Sequence, residues 1–164
     1  MGIGFSYPSS VGDCRRREFS SDVDFCSDTQ CSDERYHKLL IAYAVRKLRN
    51  HKPMTVIGIT GSHGKTSVKD YLATILSTKY KTIKTEASKN SPIGIAEIIL
   101  KNLQPDHDVF VVEMGAYKIG EIAEMAAMVK PQIGIITAIN EQHQDLFGSL
   151  ENTMKAKYEL IAGL

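Results

Sequence analysis

Cysteine is scarce: the chain of 164 residues has three, Cys14, Cys26 and Cys31, all within the first 31 positions. An odd number set apart from the rest of the chain excludes a disulfide framework. Cys26 and Cys31 stand close enough for half a metal site, but no second ligand pair lies near them, and they read as free thiols. An excess of one charge is also lacking. Twenty basic side chains oppose 19 acidic ones, a net charge of +1, so nothing electrostatic favours nucleic acid or an anionic membrane as the main partner. No apolar run approaches the roughly 20 residues of a membrane span, and the first residues lack the layout of a signal peptide. The expectation is a cytoplasmic chain without a transmembrane segment. Its length suits one domain with a real hydrophobic core.

Periodicity is missing from residues 1–32, which are rich in Ser, Asp and Gly and include Arg15-Arg16-Arg17; disorder is expected there. From Ser32-Asp33-Glu34 the signals change. A capping residue and acids precede a stripe of Leu40, Ile41, Ala44, Val45 and Leu48, with Arg46, Lys47 and Arg49 near the end. These features predict an amphipathic helix within residues 33–52, stopped by Asn50 and Pro53. Such a basic helix can lie on a membrane surface or pack its stripe on its own domain; the second use is expected.

Residues 53–164 carry the densest information. Val56-Ile57-Gly58-Ile59-Thr60 is an apolar, β-branched run that ends in Gly61-Ser62-His63-Gly64-Lys65-Thr66-Ser67. After it, Val68, Tyr71, Leu72, Ile75 and Leu76 recur at helical spacing. Strand, glycine loop and helix form the context a phosphate-binding loop requires. Glycines let backbone N–H groups converge on phosphate oxygens, and the helix N-terminus adds partial positive charge. Lys65 supplies a compact cation, and the Thr66 hydroxyl suits a magnesium ion. The strict pattern G-x-x-x-x-G-K-[ST] asks for glycine at position 59, where Ile59 stands.

Three further strand–loop units follow. Thr82–Thr85 reads as a short strand leading into the polar loop Glu86–Pro92, and Ile95, Ile98, Ile99 and Leu103 mark a helix closed by Pro105. Val109–Val112 is a continuous apolar run, as a strand buried on both faces should be, and it runs straight into Glu113. Ile122, Met125, Ala126 and Val129 form a helix stopped by Pro131, and Ile133–Ile136 is a fourth strand. Ser149 caps a last helix carrying Leu150, Met154, Tyr158 and Ile161. This alternation predicts an α/β fold, a mostly parallel sheet with helices on both faces. In such a sheet all strand-to-helix loops open on one edge. Lys65 and Thr66, Ser88 and Asn90, Glu113, and His143 should therefore meet at one crevice. A carboxylate at Glu113 and a hydroxyl at Thr66 suffice for an ion that keeps several waters.

The blocks T-G-S-H-G-K-T-S (60–67), S-K-N-S-P-I-G (88–94), V-V-E-M-G-A (111–116) with G-E-I (120–122), and H-Q-D-L-F-G-S-L-E (143–151) running to A-K-Y-E (156–159) stand in this order on these elements. Together they resemble the central ATP-binding domain of the Mur ligases over roughly residues 54–161. The resemblance implies the ATP- and Mg²⁺-binding part of an ATP-dependent amide-bond ligase of peptidoglycan precursor synthesis. Within the family the pattern is most similar to members that add D-alanyl-D-alanine to UDP-N-acetylmuramoyl-tripeptide. A substrate carboxylate there attacks the γ-phosphate, and an amine then displaces phosphate from the acyl phosphate. The implied partners are ATP, the UDP-MurNAc-peptide and a dipeptide amine.

Carried over by position, the resemblance implies catalytic roles for Lys65, Glu113, His143 and Lys157. It places nucleotide contacts at Gly61, Ser62, His63, Gly64, Lys65, Thr66, Ser67 and Asn90, and Mg²⁺ ligands at Thr66, Glu113 and His143. Lys157 matches a lysine that the family carbamylates; Lys155, two residues away, is the residue with which it is confused. His63, Ser88 and Ala138 stand where the family usually has asparagine. No domain for the UDP-sugar precedes residue 33, and the chain stops soon after Lys157, so an incomplete central domain, inactive alone, is expected. Two other readings stay open: a ligase of the folylpolyglutamate or cyanophycin synthetase type, and a non-catalytic nucleotide-binding module that recruits a partner through the helix at 33–50.

Overall fold

A computed structural model describes residues 26–86, 89–140 and 149–164, with side chains from residue 34 onward. The elements follow the expected order: α1 (Cys26–Arg49), β1 (Thr55–Thr60), α2 (Lys65–Leu76), β2 (Thr82–Lys84), α3 (Pro92–Asn102), β3 (Val109–Glu113), α4 (Glu121–Val129), β4 (Ile133–Ile136) and α5 (Leu150–Ala162). All strand pairings are parallel, and the sheet runs β2-β3-β1-β4. β1 thus lies between β3 and β4, with Gly58 in register with Val112 on one side and Gly134 on the other.

Alternate residues of the strands face opposite layers. Val56, Ile83, Phe110 and Val112 pack with Ala44 of α1, with α3 and α4, and with Leu160 of α5. Ile57, Ile59, Val109 and Val111 face Val68, Leu72, Ala73 and Leu76 of α2. Phe110, Val111 and Val112 are wholly buried, and each such side chain contributes roughly 2 kcal/mol. The space at Gly58 is taken by α5: a Cβ there would sit 2.7 Å from Leu160 Cδ1.

Helix boundaries follow local chemistry. Ser91 accepts a hydrogen bond from Gly94 N at 3.3 Å, and Pro92 opens α3 where its missing N–H costs nothing. Ser149 accepts from Asn152 N at 3.2 Å, as its position before the last apolar stripe predicts.

Two expectations are corrected. The first helix begins at Cys26 rather than Ser32, so its backbone extends through residues 26–32. No proline or glycine interrupts residues 26–49, and lengthening an established helix is far easier than nucleating one. Residues 1–25 lie outside the described residues. In α2, Tyr71 and Ile75 are 72% and 66% exposed. The packed stripe runs through Val68, Leu72, Ala73 and Leu76 and includes Lys69, and Tyr71 and Ile75 fall outside one edge of that arc.

The basic helix α1 packs on its own domain. Leu40, Ile41, Val45 and Leu48 join the larger core cluster, and Lys47 Nζ donates to Leu100 O at the end of α3 at 2.9 Å. Among the described residues no helix is long and apolar enough to cross a membrane.

Candidate active site

Parallel pairing sends the carboxyl ends of β1, β2, β3 and β4 to one edge of the sheet, and the loops there hold each other in place. Gly61 has φ 149°, and a Cβ on it would lie 2.1 Å from Thr137 Oγ1; only glycine fits. Ser62 N donates to Ala138 O at 2.7 Å, and Thr137 Oγ1 donates to His63 O. The segment after β4 therefore supports the glycine loop from behind. Gly64, at φ 76°, turns the chain into α2, whose first turn carries neither an acidic residue nor a side-chain cap. Val68 N bonds to Gly64 O at 2.9 Å, so the amides of Lys65, Thr66 and Ser67 have no partner within the helix. Their partial positive charge is left to an incoming anion. Ile59, which occupies the place of the first glycine of the strict pattern, is fully buried in β1 against α2. The usable loop here begins two residues later.

The Lys65 ammonium lies over this loop, donating to Gly61 O at 2.9 Å and Ser62 O at 3.3 Å. Thr66 Oγ1 donates to the Glu113 carboxylate, 3.0 Å from Oε2 and 3.2 Å from Oε1. Residues 47 apart in sequence are thus brought into direct contact. Glu113 is 3% exposed, and its backbone N–H donates to the buried Thr85 Oγ1 at 2.9 Å, which ties the end of β3 to the end of β2. Hydroxyl and carboxylate oxygens on one side of a phosphate-type loop are the hard donors that Mg²⁺ prefers, and two protein ligands are enough for an ion that keeps its waters. The residues fit such an ion. Among the described residues no three His, Cys, Asp or Glu side chains cluster as a metal cage.

One residue of this cluster escapes sequence reasoning. Lys69 is 1% exposed, and its Nζ lies 3.1 Å from Glu113 Oε2. The signal available was a lysine at an apolar-stripe position of α2, between Val68 and Leu72. Glu159 carries no such sequence signal. Its two carboxylate oxygens accept from Gly120 N at 2.6 Å and Ala123 N at 3.0 Å, capping α4 from α5.

The other expected residues distribute as follows. Lys157 of α5 is 4% exposed, and burial first, then the nearby Lys65 charge, pull its pKa below the ordinary lysine value of 10.5, with Glu159 opposing. Lys155 instead points to solvent and pairs with Glu151 at 2.8 Å. Asn90 packs against Gly115, where a Cβ would lie 2.9 Å from its amide carbon, and its carbonyl accepts from Gly115 N at 2.9 Å. The β2–α3 and β3–α4 loops are locked together by that contact. His63 and Ser67 are exposed at the loop. His143 and Ser88 lie outside the described residues.

Comparison with known proteins agrees with this fold. Residues 59–164 match the family described as "Mur ligase middle domain". The UDP-N-acetylmuramoyl-tripeptide–D-alanyl-D-alanine ligase of Escherichia coli (strain K12) is 38% identical over 117 residues, 71% of this chain and 26% of that enzyme. The Synechocystis enzyme of the same name is 41% identical over 114 residues, 70% of this chain and 25% of that enzyme. Among solved structures, MurF from Acinetobacter baumannii superposes with a TM-score of 0.74 at 30% identity, covering 78% of this chain and 28% of that one. MurF ligase from Thermotoga maritima in complex with ADP gives 0.73 at 29% identity, covering 90% and 33%. The chain spans about a quarter of the length of the curated relatives it matches.

Proposed function

This chain belongs to the Mur ligase family, and we propose that it is the nucleotide- and Mg²⁺-binding part of a ligase that joins D-alanyl-D-alanine to a UDP-N-acetylmuramoyl-tripeptide. The observation that carries the reading is the Thr66–Glu113 contact beside the glycine loop. A hydroxyl from the start of α2 and a carboxylate from the end of β3 meet where a phosphate bound by the loop amides would end.

The chain's own residues divide the work. The amides at the start of α2 and the loop glycines bind and orient the phosphates of ATP. Lys65 exchanges its loop carbonyls for phosphate oxygens and offsets their charge. Thr66 and Glu113 would hold Mg²⁺, with His143 as the family's ligand for a second ion. Bound Mg²⁺ supplies neutralisation of charge on the transferring phosphoryl group. The substrate carboxylate and the amine are expected to reach the rim from parts of the longer enzyme.

Lys157 fits carbamylation. Burial and Lys65 favour its neutral amine, whose lone pair attacks the carbon of CO₂, forming an N–C bond and releasing a proton. The product is an anion close to Lys65 in place of a second cation.

Calorimetric titration of ADP into the chain, with and without Mg²⁺, tests the reading. Binding that Mg²⁺ tightens is expected. An absence of nucleotide binding overturns it. Carbamylation is tested separately by a bicarbonate-derived ¹³C carbamate resonance that Lys157→Met removes.

A further inference from the structure

We propose that Lys69 is a positioning residue that holds the Glu113 carboxylate in place and makes the site's hold on a divalent ion conditional on nucleotide. The proposal rests on the nucleotide reading above.

Lys69 is among the largest fully buried side chains of the molecule. A buried ammonium is costly unless it is paired, and a chain with no use for the charge would place Leu or Met there. The neighbours on that face of α2 (Val68, Leu72, Ala73, Leu76) are apolar. Among the described residues the charge has one close acidic partner. Nζ lies 3.1 Å from Glu113 Oε2, whereas Asp70 Oδ1 is 4.0 Å away and is engaged by Lys84 at 2.8 Å. Thr85 Oγ1 accepts from the backbone of Glu113 at 2.9 Å, and Thr66 reaches the carboxylate from the loop side. Glu113 is thus gripped at three points from two segments: Thr85 after β2 holds its backbone, and Thr66 and Lys69 of α2 meet its carboxylate.

Two consequences follow from charge and geometry. Pinning Oε2 fixes the plane of the carboxylate, while Thr66 Oγ1 spans both oxygens at 3.0 and 3.2 Å and Oε1 takes no bond from Lys69. One fixed cation also offsets the one carboxylate, so the protein alone presents a divalent ion with oxygen donors but little net negative charge. A polyphosphate on the loop adds the missing charge. Groups that orient a metal ligand in this way typically change metal affinity by about 10- to 100-fold when removed.

The test measures Mn²⁺ binding to the full chain by electron paramagnetic resonance, with and without saturating ADP, and ADP binding in EDTA. For the unsubstituted chain, ADP should tighten Mn²⁺ binding strongly. In Lys69→Met that tightening should fall about tenfold, while ADP binding in EDTA stays within twofold. A folded variant whose tightening is unchanged overturns the proposal. A loss of metal-free ADP binding overturns it too, because Lys69 would then be acting on the nucleotide. Should Lys69→Met not fold, Lys69→Arg serves, since it keeps the charge but its larger planar group displaces the carboxylate; undiminished tightening in that variant has the same overturning force. Failure of the unsubstituted chain to bind ADP sinks the nucleotide reading and this inference together. Unchanged tightening in the variants sinks this inference alone.

Discussion

The two ends of the sheet handle charge in opposite ways. At the amino end, Lys81 pairs with Asp106 and Lys52 with Asp108, and all four side chains are between 41% and 66% exposed. His107 there accepts from Gln104 N through Nδ1 at 2.9 Å, and partial burial lowers its pKa. These contacts tie the α1–β1 loop, the entry to β2 and the α3–β3 loop together at little cost, because water solvates the paired charges. At the carboxyl end, Lys69 and Glu113 are withdrawn from solvent, Lys157 is buried within reach of Lys65, and loop glycines replace side chains. No buried side-chain nitrogen or oxygen among the described residues lacks a partner. The same fold thus keeps inexpensive electrostatics where it only needs joining, and expensive electrostatics where a ligand is to be held.

Substitutions at the two ends should respond unequally. The largest expected effect is Glu113→Ala, which strands the buried Lys69 ammonium and should cost about 3–5 kcal/mol in urea unfolding. It should also abolish the Mg²⁺ dependence of nucleotide affinity. Gly61→Ala comes next, at about 3 kcal/mol, from a strained φ and the clash with Thr137 Oγ1. Lys65→Ala should leave stability almost unchanged and weaken ADP binding about 100-fold, by loss of charged hydrogen bonds.

Smaller still is a pH effect at Lys157. Its folded pKa lies below 10.5, so between that lowered value and 10.5 the unfolded chain binds more protons than the folded one. Stability from this group therefore rises with pH across that window. In CO₂-free buffer, urea midpoints from pH 7 to 10 should rise more for the unsubstituted chain than for Lys157→Met. Parallel curves would show that the buried amine does not titrate differently on folding. Last, Lys52→Ala at the amino end should leave the urea midpoint within error and nucleotide binding untouched. A large loss there would erase the contrast between the two ends.

Much of the fold is legible because each element carries its own signal. The β-branched run of β1, the uninterrupted apolar β3 and the cap at Ser149 mark boundaries that need no tertiary information. The alternation of strands and helices predicts a parallel sheet, but the order β2-β3-β1-β4 is decided by how whole layers pack. The site divides similarly. Glu113 announces itself as an acid at the end of an apolar strand. Lys69 does not, because a lysine on a helix is usually solvated and only its three-dimensional partner explains its burial. The outward turn of Tyr71 and Ile75 is hidden for a related reason: α2 has more apolar residues than its one contact face can cover. Glu159 is legible only once α4 and α5 are seen side by side.

One feature of the connectivity bears on how the chain acquires its shape during synthesis. β1 emerges first among the strands, yet its partners are β3 and β4, and the loop that follows it is held by Thr137 and Ala138. A nascent chain stalled before Ala138 leaves the ribosome can possess every glycine of that loop and still lack the backing that shapes it. Such long-range pairings slow folding and prolong exposure of apolar strands. Nucleotide should therefore protect the chain from proteolysis only late in translation, after β4 has joined the sheet.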